Sequence, residues 1–213
     1  MSVPDGPGAG RFDVVDSETI YSGAILALRV DQVVMPGGSV ARREIVEHDG
    51  AVAILAVDDA DRIGLVRQYR HPVGVRMLEL PAGLLDGPAS ETPVAAAARE
   101  LLEETGFRAN QWELLIDVAA SPGMTDEVIR VFVARGLTEI GRPAGADDEE
   151  ADLTVEWIDV SAAADLVMAG EITNATSTAG ILAYCHAVRT GAPLRATDTP
   201  WPMKPTAFTA RRS

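Results

Sequence analysis

Apolar and polar positions change pattern several times along the chain, most sharply at Ala51–Val57, the unbroken run AVAILAV. A strand with one wet face alternates, whereas a strand covered on both faces can be apolar throughout. The run therefore predicts a central strand with a layer on each side. Ile63 to Tyr69 reads as its partner, across the acidic turn Asp58-Asp59-Ala60-Asp61. Upstream, Asp13–Val15, Ile25–Val30, Gln32–Met35 and Val40–Val46 are short β-like segments, with Pro36-Gly37-Gly38-Ser39 as a turn. They predict a small antiparallel β unit, too slight to be stable alone. Downstream, strands are predicted at Trp112–Ala119, Val128–Ala134 and Leu153–Ile158. Ser161 is read as the cap of a short helix to Met168, and a further helix spans about Ser177 to Arg189. Mixed strands with helices on either side predict an α/β/α sandwich around a mixed sheet. The expected organisation is a disordered Gly/Pro-rich stretch over 1–11, the N-terminal β unit over 12–49, the main domain over 50–190 and an extended Pro/Thr-rich tail over 191–213.

Composition narrows the function classes. The 213 residues, 47% hydrophobic, suffice for one sizeable core. The formal charge of −14, from 32 acids against 18 bases, argues against nucleic-acid binding, which needs a basic footprint. It also disfavours an anionic substrate unless cations are recruited locally. A single cysteine, Cys185, excludes an internal disulfide and fits a reducing, cytoplasmic location. No membrane span is expected, and MSVPDGPGAGRF does not read as a signal peptide. His71 has no second histidine at ligand spacing, so a zinc site is not expected.

The remaining helix carries the chemistry. Ser90 and Thr92 are both candidate N-caps, Pro93 suits a first turn, and Gly106 stands where a C′ glycine ends a helix. Val94, Ala98, Leu101 and Leu102 are expected to form its apolar face. Residues three and four apart share a face, so Glu100 lies beside Glu103 and Glu104. Such a stripe is either solvated or joined by a divalent cation, and hard cations such as Mg²⁺ take carboxylate oxygens while sharing water and substrate phosphates. Arg99 is spaced to pair with Glu103.

The segment Gly83 to Phe107 resembles the Nudix box, G-x5-E-x7-R-E-U-x-E-E-x-G-U with U bulky and apolar. Glu91, Arg99, Glu100, Leu101, Glu103, Glu104, Gly106 and Phe107 match in type and spacing, while seven residues rather than five separate Gly83 from Glu91. Outside the box, Arg43-Glu44-Ile45-Val46-Glu47-His48, Val66–Pro72, Glu79-Leu80-Pro81-Ala82-Gly83 and Ser121-Pro122-Gly123 resemble the ADP-ribose pyrophosphatase subfamily of high-GC Gram-positive bacteria.

The resemblance implies the Nudix sandwich and Mg²⁺-dependent hydrolysis of ADP-ribose to AMP and ribose 5-phosphate, with Mn²⁺ as the other candidate metal. It places metal on Glu100 and Glu104 with the Ala82 backbone carbonyl, and on Glu103 as an additional or water-mediated ligand. The general base falls in the acidic run Asp147-Asp148-Glu149-Glu150, at Glu150 with Glu149 second. Arg70 and Glu79 are the leading substrate contacts, with Arg67 and Arg43 behind them. It further implies a homodimer that exchanges its N-terminal β units, so that this unit contributes to the partner's adenine pocket. Two alternatives stand beside this reading: hydrolysis of another nucleoside diphosphate sugar such as GDP-mannose, and a non-catalytic Nudix-fold ligand sensor.

Overall fold

The structure, a computed structural model, describes residues 11–88, 90–143 and 153–212. The chain divides into two compact units. The first comprises residues up to Gly50 together with Ala119–Val128 and the segment from Pro200, and the second comprises Ala51–Val118 and Ile129–Thr199.

In the first unit, β1 (Val14–Ser22), β2 (Leu26–Val34) and β3 (Val40–His48) form an antiparallel three-stranded sheet in the order β1-β2-β3. The two segments Ile25–Val30 and Gln32–Met35 are one continuous strand, because Asp31 is no break: it is buried and bonded by Ser17. β1 is exposed along its whole length, apolar residues included. Residues of the tail do not stay extended, since Ala207–Arg212 forms a short helix, α4, with Phe208 fully buried. Arg211 of that helix reaches the buried Glu47, which also takes Arg29, while Thr209 donates to Asp49 at 2.7 Å.

The second unit is built on a seven-stranded mixed sheet. β4 (Ala51–Val57) runs parallel to β9 (Val128–Glu139) and antiparallel to β5 (Arg62–Arg70). β8 (Phe107–Ala119) flanks β9, and β10 (Thr154–Asp159) closes the other edge on β5. β4 and β5 touch only at Ala56–Val57 and then diverge, with β6 (Val75–Glu79) pairing β5 and β7 (Ala82–Leu84) pairing β4 in the fork. This fork positions the site.

Every residue of β4 is buried, and alternate ones serve opposite cores. Ala53, Leu55 and Val57 join the cluster under α2 (Val160–Ala169) and α3 (Ala175–Thr190), with Ala163, Ile181 and Tyr184. Val52, Ile54 and Ala56 join Ala96, Ala97 and Leu101 of α1 (Pro93–Thr105). Two dry faces explain the unbroken apolar run, and the α/β/α sandwich is the result. Trp112 and Trp157 are packing groups, edge-on to Phe132 and Phe107 respectively.

α2 and α3 begin earlier than their sequence signals suggested. Asp159, not Ser161, occupies the N-cap of α2, without a side-chain cap bond. α3 is capped by Asn174, whose side chain accepts from the Ser177 N–H, so Ser177 lies inside the first turn. No helix among the described residues is long and apolar enough to cross a membrane.

Candidate active site

α1 starts where a β-region Thr92 accepts from the Ala95 N–H at 3.3 Å, and it ends at Gly106, left-handed, whose N–H reaches Leu102. Its buried face matches the expected one at Val94 and Leu101 and departs from it at Ala98. Ala98 is exposed, and Ala96, Ala97 and Leu101 are buried together with Glu100 and Glu104. The acids therefore border the core rather than face solvent.

The two buried carboxylates meet β7. Glu104 accepts from the Ala82 N–H at 3.0 Å, while the Pro81 carbonyl just before it takes the Ile54 N–H at 2.8 Å and ties the turn to β4. At Gly83 the backbone passes so close to Glu100 that a Cβ would lie 1.9 Å from its carboxyl carbon. A side chain at this position would force that carboxylate to move. Burial dominates the electrostatics of Glu100 and pushes its pKa from 4.5 up to about 7, against the pull of Arg99.

Arg99 gathers the remaining acids. Its guanidinium lies 2.5 Å from Glu100, 3.1 Å from Glu103 and 3.2 Å from Glu91. Burial works against its charge, but hydrogen bonds and Coulomb attraction from Glu91 and Glu100 outweigh that and hold its pKa above the ordinary value. The longer loop before α1 still delivers Glu91 to this network. A turn closes from the Glu91 N–H to the Pro88 carbonyl at 2.8 Å, and a Cβ on Gly87 would lie 2.2 Å from a Glu91 oxygen.

These residues can be tested against a hard divalent cation. Among the described residues no three His, Cys, Asp or Glu side chains form a ready-made metal cage. Arg99 pairs with both Glu100 and Glu103, and of the three box acids Glu100 and Glu104 are the buried pair. Mg²⁺ and its like use one or two carboxylates and fill the rest of an octahedron with water and phosphate oxygens. Two buried carboxylates, Glu100 and Glu104, fit that demand, and the all-oxygen donor set does not favour a soft thiophilic metal.

The other sequence-derived site residues are distributed as follows. Glu79, buried at the end of β6, takes both Nε and Nη2 of Arg70 at 3.0 and 2.7 Å, and Asn174 at 3.2 Å. Arg67 pairs with Glu156 of β10 at 2.7 Å, both half-exposed. Arg43 lies in the first unit, where it lines a cleft of about 590 Å³ with Leu28, Glu44, Val46 and Met124. The cleft is held by the 121–126 turn, since the Val46 N–H bonds Met124 and the His48 N–H bonds Asp126. Glu149 and Glu150 lie outside the described residues. Asn174 was not singled out in the sequence, and Ser177 only as the approximate start of a helix, although Asn-Ala-Thr-Ser before an apolar run is a capping signal that could have drawn attention to both.

The chain matches the NUDIX domain over residues 34–177 and the nucleoside diphosphate sugar hydrolase N-terminal domain over residues 12–46. It is 54% identical, over 95% of its length and 97% of the relative's, to the ADP-ribose pyrophosphatase of Mycobacterium tuberculosis. It is 44% identical to the methanol dehydrogenase activator of Bacillus methanolicus, over 64% of this chain and 72% of that protein. A crystal structure of an ADP compounds hydrolase superposes with a TM-score of 0.75 at 21% identity, covering 85% of this chain and 96% of that one, a likeness of fold. With the box residues assembled on α1 and β7 and the domain match spanning most of the chain, this protein belongs to the Nudix family of hydrolases.

Proposed function

We propose that the protein hydrolyses the diphosphate of ADP-ribose, adding water across the P–O–P bridge to give AMP and ribose 5-phosphate. The observation that carries this reading is the 54% identity to an ADP-ribose pyrophosphatase over nearly the full length of both chains. The intact Glu100, Glu103, Glu104 and Arg99 set supports an enzyme over a non-catalytic ligand sensor.

Nudix hydrolases use divalent metal ions. Here Glu100, Glu104 and the Ala82 carbonyl would hold Mg²⁺, or Mn²⁺ in its place, with Glu103 as an additional ligand. When bound, the metal would supply positive charge to the diphosphate and lower the pKa of water. Glu150, with Glu149 as its understudy, takes the proton of the attacking water. Arg70 contacts the phosphates and is held there by the buried Glu79; Arg67 and Arg43 are the secondary substrate contacts. Arg99 positions the acids and takes no part in proton transfer.

Assembly belongs to the same reading: a cytoplasmic homodimer that exchanges its N-terminal β units across a two-fold axis. Support comes from β1, whose Val14, Val15, Ile20 and Tyr21 stand half-exposed or more on a sheet of three strands. Light scattering at micromolar concentration should give twice the 22.5 kDa chain mass, and a monomer would refute the exchange.

A panel of nucleotide sugars incubated with Mg²⁺, and separately with EDTA, tests the activity. Metal-dependent release of AMP from ADP-ribose is the expected result. Turnover of GDP-mannose in preference would move the substrate assignment, and turnover of nothing would leave the sensor reading standing.

A further inference from the structure

We propose that Asn174 and Ser177, at the start of α3, are positioning residues that hold the Arg70 guanidinium in place for the substrate diphosphate. This rests on the phosphate-contacting role given to Arg70 above. The hydrogen bonds run in one closed path. One oxygen of Glu79 takes the Nε and Nη2 edge of Arg70 at 3.0 and 2.7 Å, while 40% of the Arg70 side chain stays exposed. The other oxygen accepts from Asn174 Nδ2 at 3.2 Å. Asn174 Oδ1 is engaged twice by Ser177, through its N–H at 2.9 Å and its hydroxyl at 3.1 Å. The Ser177 hydroxyl in turn accepts from the N–H of Leu80, the residue after Glu79, at 2.9 Å.

Two donors on Oδ1 fix the orientation of the Asn174 amide, because a flipped amide would set NH₂ against the Ser177 N–H and C=O against Glu79. Capping α3 needs only Oδ1. The Nδ2 bond to Glu79 is surplus to the cap, and its effect is on Glu79. A carboxylate anchored through one oxygen can still swing about its last torsion, which is soft for Glu. Anchored through both, it holds its plane and presents Arg70 in one pose. Glu79 itself is 1% exposed, so no bulk water stands ready to replace the amide. A fork held in register recognises a phosphate better than a loose one.

Substitutions at Asn174 separate the cap from the Glu79 contact. Asn174→Ser keeps a good cap and lacks the reach and the amide donor. Asn174→Asp caps equally well but sets a carboxylate oxygen against Glu79. The measurements are melting temperature, kcat and KM for ADP-ribose in both variants, in Arg70→Ala, and in the Asn174→Ser/Arg70→Ala double variant. Asn174→Ser should melt near the parent, raise KM about five- to tenfold and leave kcat within about threefold, with Asn174→Asp worse in KM. In the Arg70→Ala background the Asn174→Ser effect should fall below about twofold. A parental KM in Asn174→Ser and Asn174→Asp, or an unchanged Asn174→Ser effect without Arg70, overturns the proposal. If Asn174→Ser melts lower, the comparison passes to Asn174→Asp, read in the same two backgrounds. If Arg70→Ala itself leaves KM unchanged, the phosphate role of Arg70 is what fails and the positioning role falls with it. If Arg70→Ala raises KM and the Asn174 variants do not, the positioning role alone fails.

Discussion

Replacing Glu100 by Gln should stabilise the metal-free protein while abolishing its metal-dependent activity. Glu100 is 7% exposed, its carboxyl pressed against Gly83, and its pKa is raised from 4.5 to about 7 chiefly by burial. Raising a carboxyl over that interval penalises its ionised form by about 3 kcal/mol, at about 1.4 kcal/mol per tenfold in proton affinity. The sign follows from linkage: between pH 4.5 and 7 the native state binds more protons than the unfolded state, so stability falls as pH rises. The penalty is absent well below pH 4.5, grows across that window and is complete above 7. Gln keeps an oxygen for Arg99 and removes the charge. Urea unfolding in EDTA should therefore find Glu100→Gln more stable than the parent by up to about 3 kcal/mol at pH 8, with the gap closing towards pH 4.5. Adding Mg²⁺ should raise the stability of the parent and leave the variant unchanged. A variant no more stable than the parent at pH 8, or a gap independent of pH, would refute the buried-charge argument.

Further outcomes follow from other contacts. Gly83→Ala introduces a Cβ 1.9 Å from the Glu100 carboxyl carbon, so steady-state assays should lose at least about tenfold in kcat with the fold retained by circular dichroism. Glu150→Gln should lower kcat about a hundredfold with KM little changed, and parental turnover would transfer the base to Glu149 or to a metal-bound hydroxide. Arg211→Met removes the hydrogen bond that most lowers the Glu47 pKa. A depressed carboxylate stabilises the fold above its unfolded pKa and ceases to do so as pH falls through its folded one. The variant should thus be less stable by about 1.5 kcal/mol at pH 7, with the difference vanishing in acid, as read by urea melts across pH 3–7.

What was legible in the sequence was what local pattern dictates. The two dry faces of β4 wrote themselves as an unbroken apolar run, and α1 carried its own cap, stop and acids. The first half of β8 was missed because Arg108, Asn110 and Gln111 are solvent-facing there, and Ala109 is too small to advertise its place in the core. The buried side of α1 was legible at Val94 and Leu101 but not at its acids, because nothing local says that Glu100 and Glu104 will be pressed against β7. That contact comes from the fork between β4 and β5. The pairings of Arg70 with Glu79 and of Glu79 with Asn174 join residues 9 and 95 apart, beyond the reach of any periodicity. The same holds for Arg211 and Glu47, separated by 164 residues, which is why the tail read as extended.

Substrate choice is tested most directly by competition. The protein is given equimolar ADP-ribose and GDP-mannose with Mg²⁺ in one vessel, and nucleotide products are followed by chromatography. AMP and ribose 5-phosphate should appear in equal amounts and at least about tenfold faster than GMP, an advantage of about 1.4 kcal/mol in the transition state. GMP appearing first, or AMP forming equally well in EDTA, would contradict a metal-dependent ADP-ribose hydrolase.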